Sequence, residues 1–462
     1  MSKSTFECIS PIDDTVVYTG QYSATTDVDK ALSLALDGQK QWRALSLSER
    51  IATLKIAVEY LHDNREPLGL EITQQMGRPI RYTAGELAGL KERADMMFEL
   101  APEALKDHVP PLKDGFERRI SREPLGIVAV LAPWNYPYLT SVNAIIPALI
   151  AGNAVILKPA SQTPMTALRY SEAFEKAGLP EGVFQHLFLT HDTTATLIGD
   201  PRVDYVAFTG SVGGGHAVSK AIAHKFIGAG LELGGKDPAY VRADTDTVEA
   251  AVSLADGAFF NSGQSCCGIE RIYVDESQFD IFVDTVITEA KVLTLGNPTD
   301  TDISMGPMAT ARGADGVRTQ IKTAINAGAT AHLPVDENWG SPYLKPQVLT
   351  NVSHDMAIMH DETFGPVVGI MAVSGDDEAI TLMNDSEFGL TASIWTQDTD
   401  AARTIGQQLE TGTVFMNRCD YLDPALAWTG VKNSGRGATL SSLGFEHLTR
   451  PKSYHFKLPV SG

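Results

Sequence analysis

Four cysteines in 462 residues, Cys8, Cys266, Cys267 and Cys419, are too few for a disulfide scaffold. They show no CxxC metal spacing, and such sparse use fits a reducing cytoplasm. Positive charge is also scarce, with 37 Lys and Arg against 57 Asp and Glu and a formal net charge of -20. That balance argues against nucleic acid and anionic membrane surfaces as partners. No apolar run is long enough to span a bilayer. Residues 1–6, Met-Ser-Lys-Ser-Thr-Phe, lack the apolar core of a signal peptide. Internal repeats and low-complexity segments are absent too. What remains is ordinary globular composition, 43% hydrophobic and 20% charged, in a chain long enough for two or three cores.

The first hundred residues read as mostly helical. Thr26 with Asp29 suggests a capping box, a second helix opens at Ser48 and Arg50, a third follows Asn64, and a long one covers 80–104. None of these carries an obvious chemical group. Asp114-Gly115 is a hairpin signal, followed by Phe116, Arg118, Ile120 and Arg122 at strand-like positions. This predicts a two-stranded arm, either a plain surface hairpin or an exposed edge that pairs with another subunit. From 124 to 235, strands at 125–132, 154–157, 183–189 and 205–208 alternate with helices, one of them capped by Asp192. The pattern predicts a doubly wound α/β domain with ligands at the carboxyl ends of its strands. A second α/β unit follows, with strands near 239–241, 269–274 and 390–395.

Two stretches stand out chemically. Gly210-Ser211-Val212-Gly213-Gly214-Gly215 follows a strand and opens a helix, so its backbone N–H groups suit a pyrophosphate. It does not match GxGxxG, and a tight turn needing glycine explains it equally well. Phe259-Phe260-Asn261-Ser262-Gly263-Gln264-Ser265-Cys266-Cys267-Gly268 is small and polar, set between a helix at 246–259 and a strand. A cysteine there can open onto a cleft while its backbone stays rigid, the setting of a nucleophilic thiolate. A free cysteine is otherwise among the most buried residues, and a polar residue beside a turn usually caps it.

The order of the motifs decides between these readings. Ala132-Pro133-Trp134-Asn135-Tyr136-Pro137, Leu157-Lys158-Pro159-Ala160 and Phe208-Thr209-Gly210-Ser211 each end a strand. Glu232-Leu233-Gly234-Gly235-Lys236, Gly263-Gln264-Ser265-Cys266 and Glu362-Thr363-Phe364-Gly365-Pro366-Val367 follow in turn. Together, from about residue 24 onward, they resemble the aldehyde dehydrogenase superfamily. The resemblance implies an α/β fold of two doubly wound, Rossmann-like domains with a small β oligomerisation arm. It places the cofactor domain at 1–109 and 125–231 and the catalytic domain at 232–435. Residues 110–124 and 436–462 would form the arm and tail of a homodimer or homotetramer.

The same resemblance implies roles. Cys266 is the nucleophile, Asn135 an oxyanion donor and Glu232 the general base for hydrolysing a thioester, with Cys267 a neighbour open to reversible oxidation. The cofactor is NAD or NADP, held by Trp134, Lys158, Ser161, Gly210, Ser211, Gly215, Glu362 and Phe364. Ser161 stands where strictly NAD-using members often carry Glu, whose charge repels a 2′-phosphate, so NADP is admitted. Val212 replaces a frequent Thr. The substrate is a small aldehyde, in a funnel lined by Tyr138, Tyr421 and Trp428. The run 158–164, Lys-Pro-Ala-Ser-Gln-Thr-Pro, is similar to succinate-semialdehyde dehydrogenases. Those enzymes usually present an Arg from the helix after Trp-Asn; the matching position is Asn143, and that helix holds no Arg. An uncharged aldehyde is therefore expected, with succinate semialdehyde the alternative. Glu232 favours water over coenzyme A as acyl acceptor, and the three chemical residues together argue against a silent structural protein. A cofactor-free cysteine hydrolase needs a His beside the thiol, and none is near in sequence.

Overall fold

The computed structural model describes residues 4–459. Positions 1–3 and 460–462, where the expectations about a leader and the end of the tail partly fall, lie outside the described residues.

Two sheets organise the chain. The first has six strands in the order Gly435–Arg436, Gly228–Glu232, Tyr205–Thr209, Ile127–Leu131, Ala154–Lys158 and Phe184–His186. All neighbours are parallel except the edge strand Gly435–Arg436. Ile127–Leu131 is buried at every position, as an unbroken apolar run in a parallel sheet covered on both faces must be. The second sheet has seven strands: Thr330–Ala331, Gln347–Thr350, Val367–Val373, Ile269–Asp275, Asp237–Val241, Thr391–Trp395 and Thr413–Met416. Only Thr330–Ala331 runs antiparallel. Both sheets are doubly wound, as expected, so their carboxyl ends form the ligand face.

Helix packing follows sequence periodicity. In Ile80–Ala104 the buried Leu87, Leu90, Ala94, Met97, Phe98 and Ala101 recur at three- and four-residue spacing. They pack on the helix Pro137–Ile150, which covers one face of the first sheet. Each large side chain buried this way contributes roughly 1.5–3 kcal/mol. Pro137 opens its helix at a position where a missing N–H costs nothing.

Several local expectations are corrected. Thr5–Ile9 and Val16–Gln21 form an antiparallel hairpin ahead of the first helix. That helix, Thr25–Ala44, starts one residue earlier than the Thr26 reading, and the Asp27 carboxylate accepts from the Ala24 N–H at 2.7 Å. The second helix is capped by Ser46, and His191–Gly199 is capped by Thr190 instead of Asp192. The arm is also built differently. Phe116–Pro124 pairs along its length with the C-terminal strand Thr449–Lys457, antiparallel, and the turn at Asp114-Gly115 adds only the isolated bridges Lys113–Phe116 and His108–Ile120. The tail beyond 435 is not all arm: Arg436 sits on the first sheet, and Ser442–Leu448 packs against Ile80–Ala104.

Candidate active site

The nucleophile loop is strained and strongly held. Asn261, Ser262 and Gly263 all have left-handed backbone, with φ of 53°, 55° and 69°. For the two non-glycine residues this costs about 1–2 kcal/mol each. A Cβ on Gly263 would lie 2.2 Å from the Gly365 carbonyl, so only glycine fits there. Side chains lock the turn. Asn261 Nδ2 donates to the Gln264 carbonyl at 3.2 Å, and Gln264 Nε2 donates back to the Asn261 carbonyl at 3.0 Å. Ser262 Oγ donates to the Gly306 carbonyl, and Gln264 Oε1 accepts from the Ala309 N–H.

This loop presents two unequal thiols. Cys266 is partly exposed and Cys267 is buried. Cys267 Sγ donates to Asp420 Oδ1 at 3.0 Å. The Cys266 thiol, burial and the Asp420 charge together hold the Cys267 thiol well above its usual range. Cys266 edges a small apolar cluster of Cys267, Leu390, Trp428 and Leu440. Its backbone N–H has no acceptor among the described residues. Asn135 is buried, and its Nδ2 donates to the Gln264 carbonyl at 3.2 Å, two residues from the thiol. The second N–H of that amide is uncommitted among the described residues.

Behind Asn135 stands a buried ion pair that the sequence did not reveal. Arg78 Nη1 meets Glu86 Oε2 at 2.5 Å, with both side chains almost fully enclosed. Arg78 also donates from Nε to Asn261 Oδ1 at 3.1 Å and from Nη2 to the Asn135 carbonyl. Glu86 Oε1 accepts the N–H groups of Tyr138 and Leu139, the first turn of Pro137–Ile150. One ion pair thus ties the nucleophile loop, Asn135 and a helix N-terminus together.

Glu232 ends its strand and accepts from Thr439 Oγ1 at 2.6 Å and Thr209 Oγ1 at 2.9 Å. Burial pushes its carboxyl up; the two hydroxyls and the Arg93 charge oppose that. It lines a cavity of about 30 Å³ with Thr140, Asn143, Thr209, Thr439 and His447, room for about one or two waters. Three residues on, the backbone runs against the nucleophile loop: a Cβ on Gly235 would be 2.1 Å from the Cys266 carbonyl.

Glu362 comes in from the second sheet's side. Its Oε1 accepts the Gly235 N–H at 3.1 Å, and burial chiefly, with the Glu270 charge, raises its carboxyl to about 7. Phe364 has φ of 52° and stands edge-on to Trp134 at 5.6 Å between centroids. Glu270 holds this turn, accepting Thr363 N–H and Phe364 N–H at 2.8 Å each, and is itself paired with buried Lys236 at 2.7 Å. Glu270, Arg78, Glu86 and Asp420 were all missed: each acts through a partner far away in sequence.

The structure places the remaining expected residues as follows. Ser211 caps the helix Val212–Ile222 through the Gly214 N–H at 3.2 Å. The Gly210 N–H donates to the Glu232 carbonyl. None of these glycines has positive φ; a Cβ on Gly210 or Gly214 would strike Phe208, and one on Gly215 would strike Leu233. Close packing is therefore the need they meet. Lys158 and Ser161 line a pocket of about 160 Å³ with Phe188 and Thr190. Tyr421 bonds Glu92 at 2.9 Å and lies under Arg418, while Trp428 packs beside Cys267. Tyr138 is corrected: it is 1% exposed and packs on Tyr170, a core residue and not a funnel wall. Its position follows from helix phase, since Thr140 and Asn143 take the side that lines the cavity with Glu232.

The chain carries a partly exposed thiol on a strained loop, a buried amide and a buried carboxylate on two doubly wound sheets, and its class is that of the oxidoreductases. The profile described as the aldehyde dehydrogenase family matches residues 1–454, and the chain belongs to that family. It is 33% identical over 428 residues to succinate semialdehyde dehydrogenase [NAD(P)+] Sad of Escherichia coli K12, covering 92% of each chain. It is 33% identical to an aldehyde dehydrogenase of Paenarthrobacter nicotinovorans, over 96% of this chain and 98% of that one. The NADP-dependent glyceraldehyde-3-phosphate dehydrogenase of Bacillus halodurans C-125, solved with NADP, superposes with a TM-score of 0.94 at 31% identity, over 99% and 96% of the two chains.

The residues present fit a nicotinamide dinucleotide. The Lys158 ammonium has no hydrogen-bond or carboxylate partner among the described residues, and burial lowers its pKa. Ribose hydroxyls would satisfy it. The open first turn at Gly213 leaves room over a helix N-terminus for a pyrophosphate.

Proposed function

We propose that this protein oxidises an aldehyde to its carboxylic acid with NAD(P)+ as the oxidant, through a covalent bond to Cys266. The observation that carries this is the pairing of one accessible thiol with two uncommitted N–H donors, from Cys266 itself and from Asn135.

The Cys266 thiolate adds to the carbonyl carbon, forming a C–S bond and an oxyanion. The two N–H groups stabilise that charge without donating a proton outright; losing one such donor typically costs about 3–4 kcal/mol in barrier. Bound NAD(P)+ supplies the hydride acceptor, and a Cys266 thioester remains. Trp134 and Phe364 would flank the nicotinamide, Glu362 its ribose, and Lys158 with Ser161 the adenosine ribose. Glu232 then takes a proton from a water in the cavity it lines. The resulting hydroxide attacks the thioester, the C–S bond breaks, and the carboxylic acid leaves with the Cys266 thiolate restored. A carboxylate held up by burial suits this work, since a base works best with a pKa near the operating pH.

An initial-rate screen of a broad aldehyde panel with NAD and NADP tests this reading. Reduced nicotinamide with at least one aldehyde is expected; folded, cofactor-binding protein that reduces none would overturn it. The exposed edge of the Phe116–Pro124 and Thr449–Lys457 ribbon supports a homodimer or homotetramer, which light scattering at micromolar concentration checks. A reducing cytoplasm fits the four free thiols.

A further inference from the structure

Arg93 is a buried cation beside the site with no carboxylate in direct contact among the described residues. It lies on the Ile80–Ala104 helix and is 6% exposed. Its Nη1 donates to the Leu139 carbonyl at 2.5 Å and to Asn143 Oδ1 at 3.2 Å. Its Nε and Nη2 have no acceptor, and no carboxylate lies within 4 Å of it, among the described residues.

Other enclosed arginines are treated differently. Arg78 meets Glu86, and Arg318 meets Asp315 and Asp336. Arg271 has no carboxylate, but its guanidinium is spent on the carbonyls of Lys236, Leu382, Asp385 and Met383. A buried charge with three of its five N–H donors idle is costly, and such groups are normally paired. The Arg93 fork has the planar shape that binds a carboxylate bidentately.

Its place gives the idle fork a use. Leu139 and Asn143 sit on the helix that begins just after Asn135, and Asn143 lines the same cavity as Glu232. The charge is near enough to favour ionised Glu232 and to be felt by Cys267. The next residue back, Glu92, holds Tyr421 of the loop that carries Asp420. Arg93 therefore reaches, from a different helix, the position where Asn143 replaces an arginine. The expectation of an uncharged aldehyde rested on that replacement alone.

We propose that Arg93 receives the far carboxylate of the substrate, so that the preferred aldehyde is an ω-carboxy aldehyde. This rests on the oxidation chemistry proposed above and specifies its substrate. No altered step is needed: the carboxylate binds as an ion, and the aldehyde end reacts as before. A deposit of negative charge also satisfies the idle Nε and Nη2 donors.

The test compares kcat/KM for succinic and glutaric semialdehyde with butanal and pentanal, with NAD and NADP, in the wild type, Arg93→Met and Arg93→Lys. The wild type should favour at least one semialdehyde over its uncharged counterpart by about 100-fold, the scale of a charge-assisted bidentate contact. That ratio should collapse in Arg93→Met and fall to an intermediate value in Arg93→Lys, which keeps charge and loses the fork. A wild type that prefers the uncharged aldehydes overturns the proposal and needs no folded variant to do so. So does a ratio unchanged by Arg93→Met, or one in which all four aldehydes fall equally with a shifted pH profile, which would make Arg93 a modulator of Glu232. A wild type that oxidises none of the four or any broader panel overturns the underlying oxidation instead.

Discussion

Replacing Arg78 by Met should destabilise the protein in a pH-dependent way, because it strands Glu86. The Glu86 side chain is fully enclosed, with Arg78 its only ion-pair partner among the described residues, at 2.5 Å. Breaking a buried pair from one side typically costs about 3–5 kcal/mol. Glu86 has an escape, which is to take a proton. Burial already pushes its carboxyl up, with Arg78 opposing, and without Arg78 the rise must be larger. Neutralising a carboxyl whose ordinary value is 4.5 costs about 1.4 kcal/mol per pH unit above that value. The charge contribution is then about 4 kcal/mol at pH 7.5 and about 1.4 kcal/mol at pH 5.5. A raised folded-state pKa means stability is present below the unfolded value and lost as pH rises, so the variant should recover up to about 3 kcal/mol on acidification. About 1 kcal/mol more is lost for each of the Asn135 carbonyl and Asn261 Oδ1, which keep no Arg78 donor. Urea titrations of wild type, Arg78→Met and Arg78→Met/Glu86→Gln at both pH values measure this. The double variant should lose the pH dependence, since its amide still accepts from Tyr138 and Leu139. A loss equal at both pH values, or a double variant as pH-sensitive as the single one, would refute the reasoning.

Cys266→Ala should abolish turnover and Cys267→Ala should leave most of it, because of these two neighbours Cys266 is partly exposed and Cys267 is buried; steady-state rates decide, and the reverse pattern means the other sulfur reacts. Ser161→Glu should shift preference toward NAD by about tenfold or more, since a carboxylate beside Lys158 opposes a 2′-phosphate. Kinetics with both cofactors check this, and an unchanged ratio would move residue 161 away from the adenosine ribose.

The parallel core was legible because buried strands such as 127–131 read as apolar runs and helices such as 137–150 are bounded by Pro and Gly. The groups proposed for the chemistry could be singled out because each stands in a local motif at a strand end or turn. What supports them was not. Arg78 and Glu86 read as ordinary charges on helical ground, and nothing local shows that they meet inside the protein or reach Asn135. Arg93 was hidden for the same reason: helix 80–104 was assigned to packing, and an arginine was sought only on the helix after Asn135. Tyr138 was misplaced because Thr140 and Asn143 on the same helix line the cavity with Glu232 while it faces the core. The C-terminal strand was recognised, yet its partner at 116–124 lies more than three hundred residues away, beyond any turn signal.

The central claim is that one thiol and one carboxylate divide the reaction, with Glu232 acting only after the oxidation step. Glu232→Gln keeps the size of the side chain and its contacts with Thr209 and Thr439, but cannot accept the proton from water. General-base help of roughly 100- to 10,000-fold should be lost. A pre-steady-state run should then show a burst of reduced cofactor near one per site followed by slow turnover, with the acyl group found by mass spectrometry on the peptide containing Cys266. Absence of any burst would place Glu232 before the oxidation step, and undiminished turnover would show that another group activates the water.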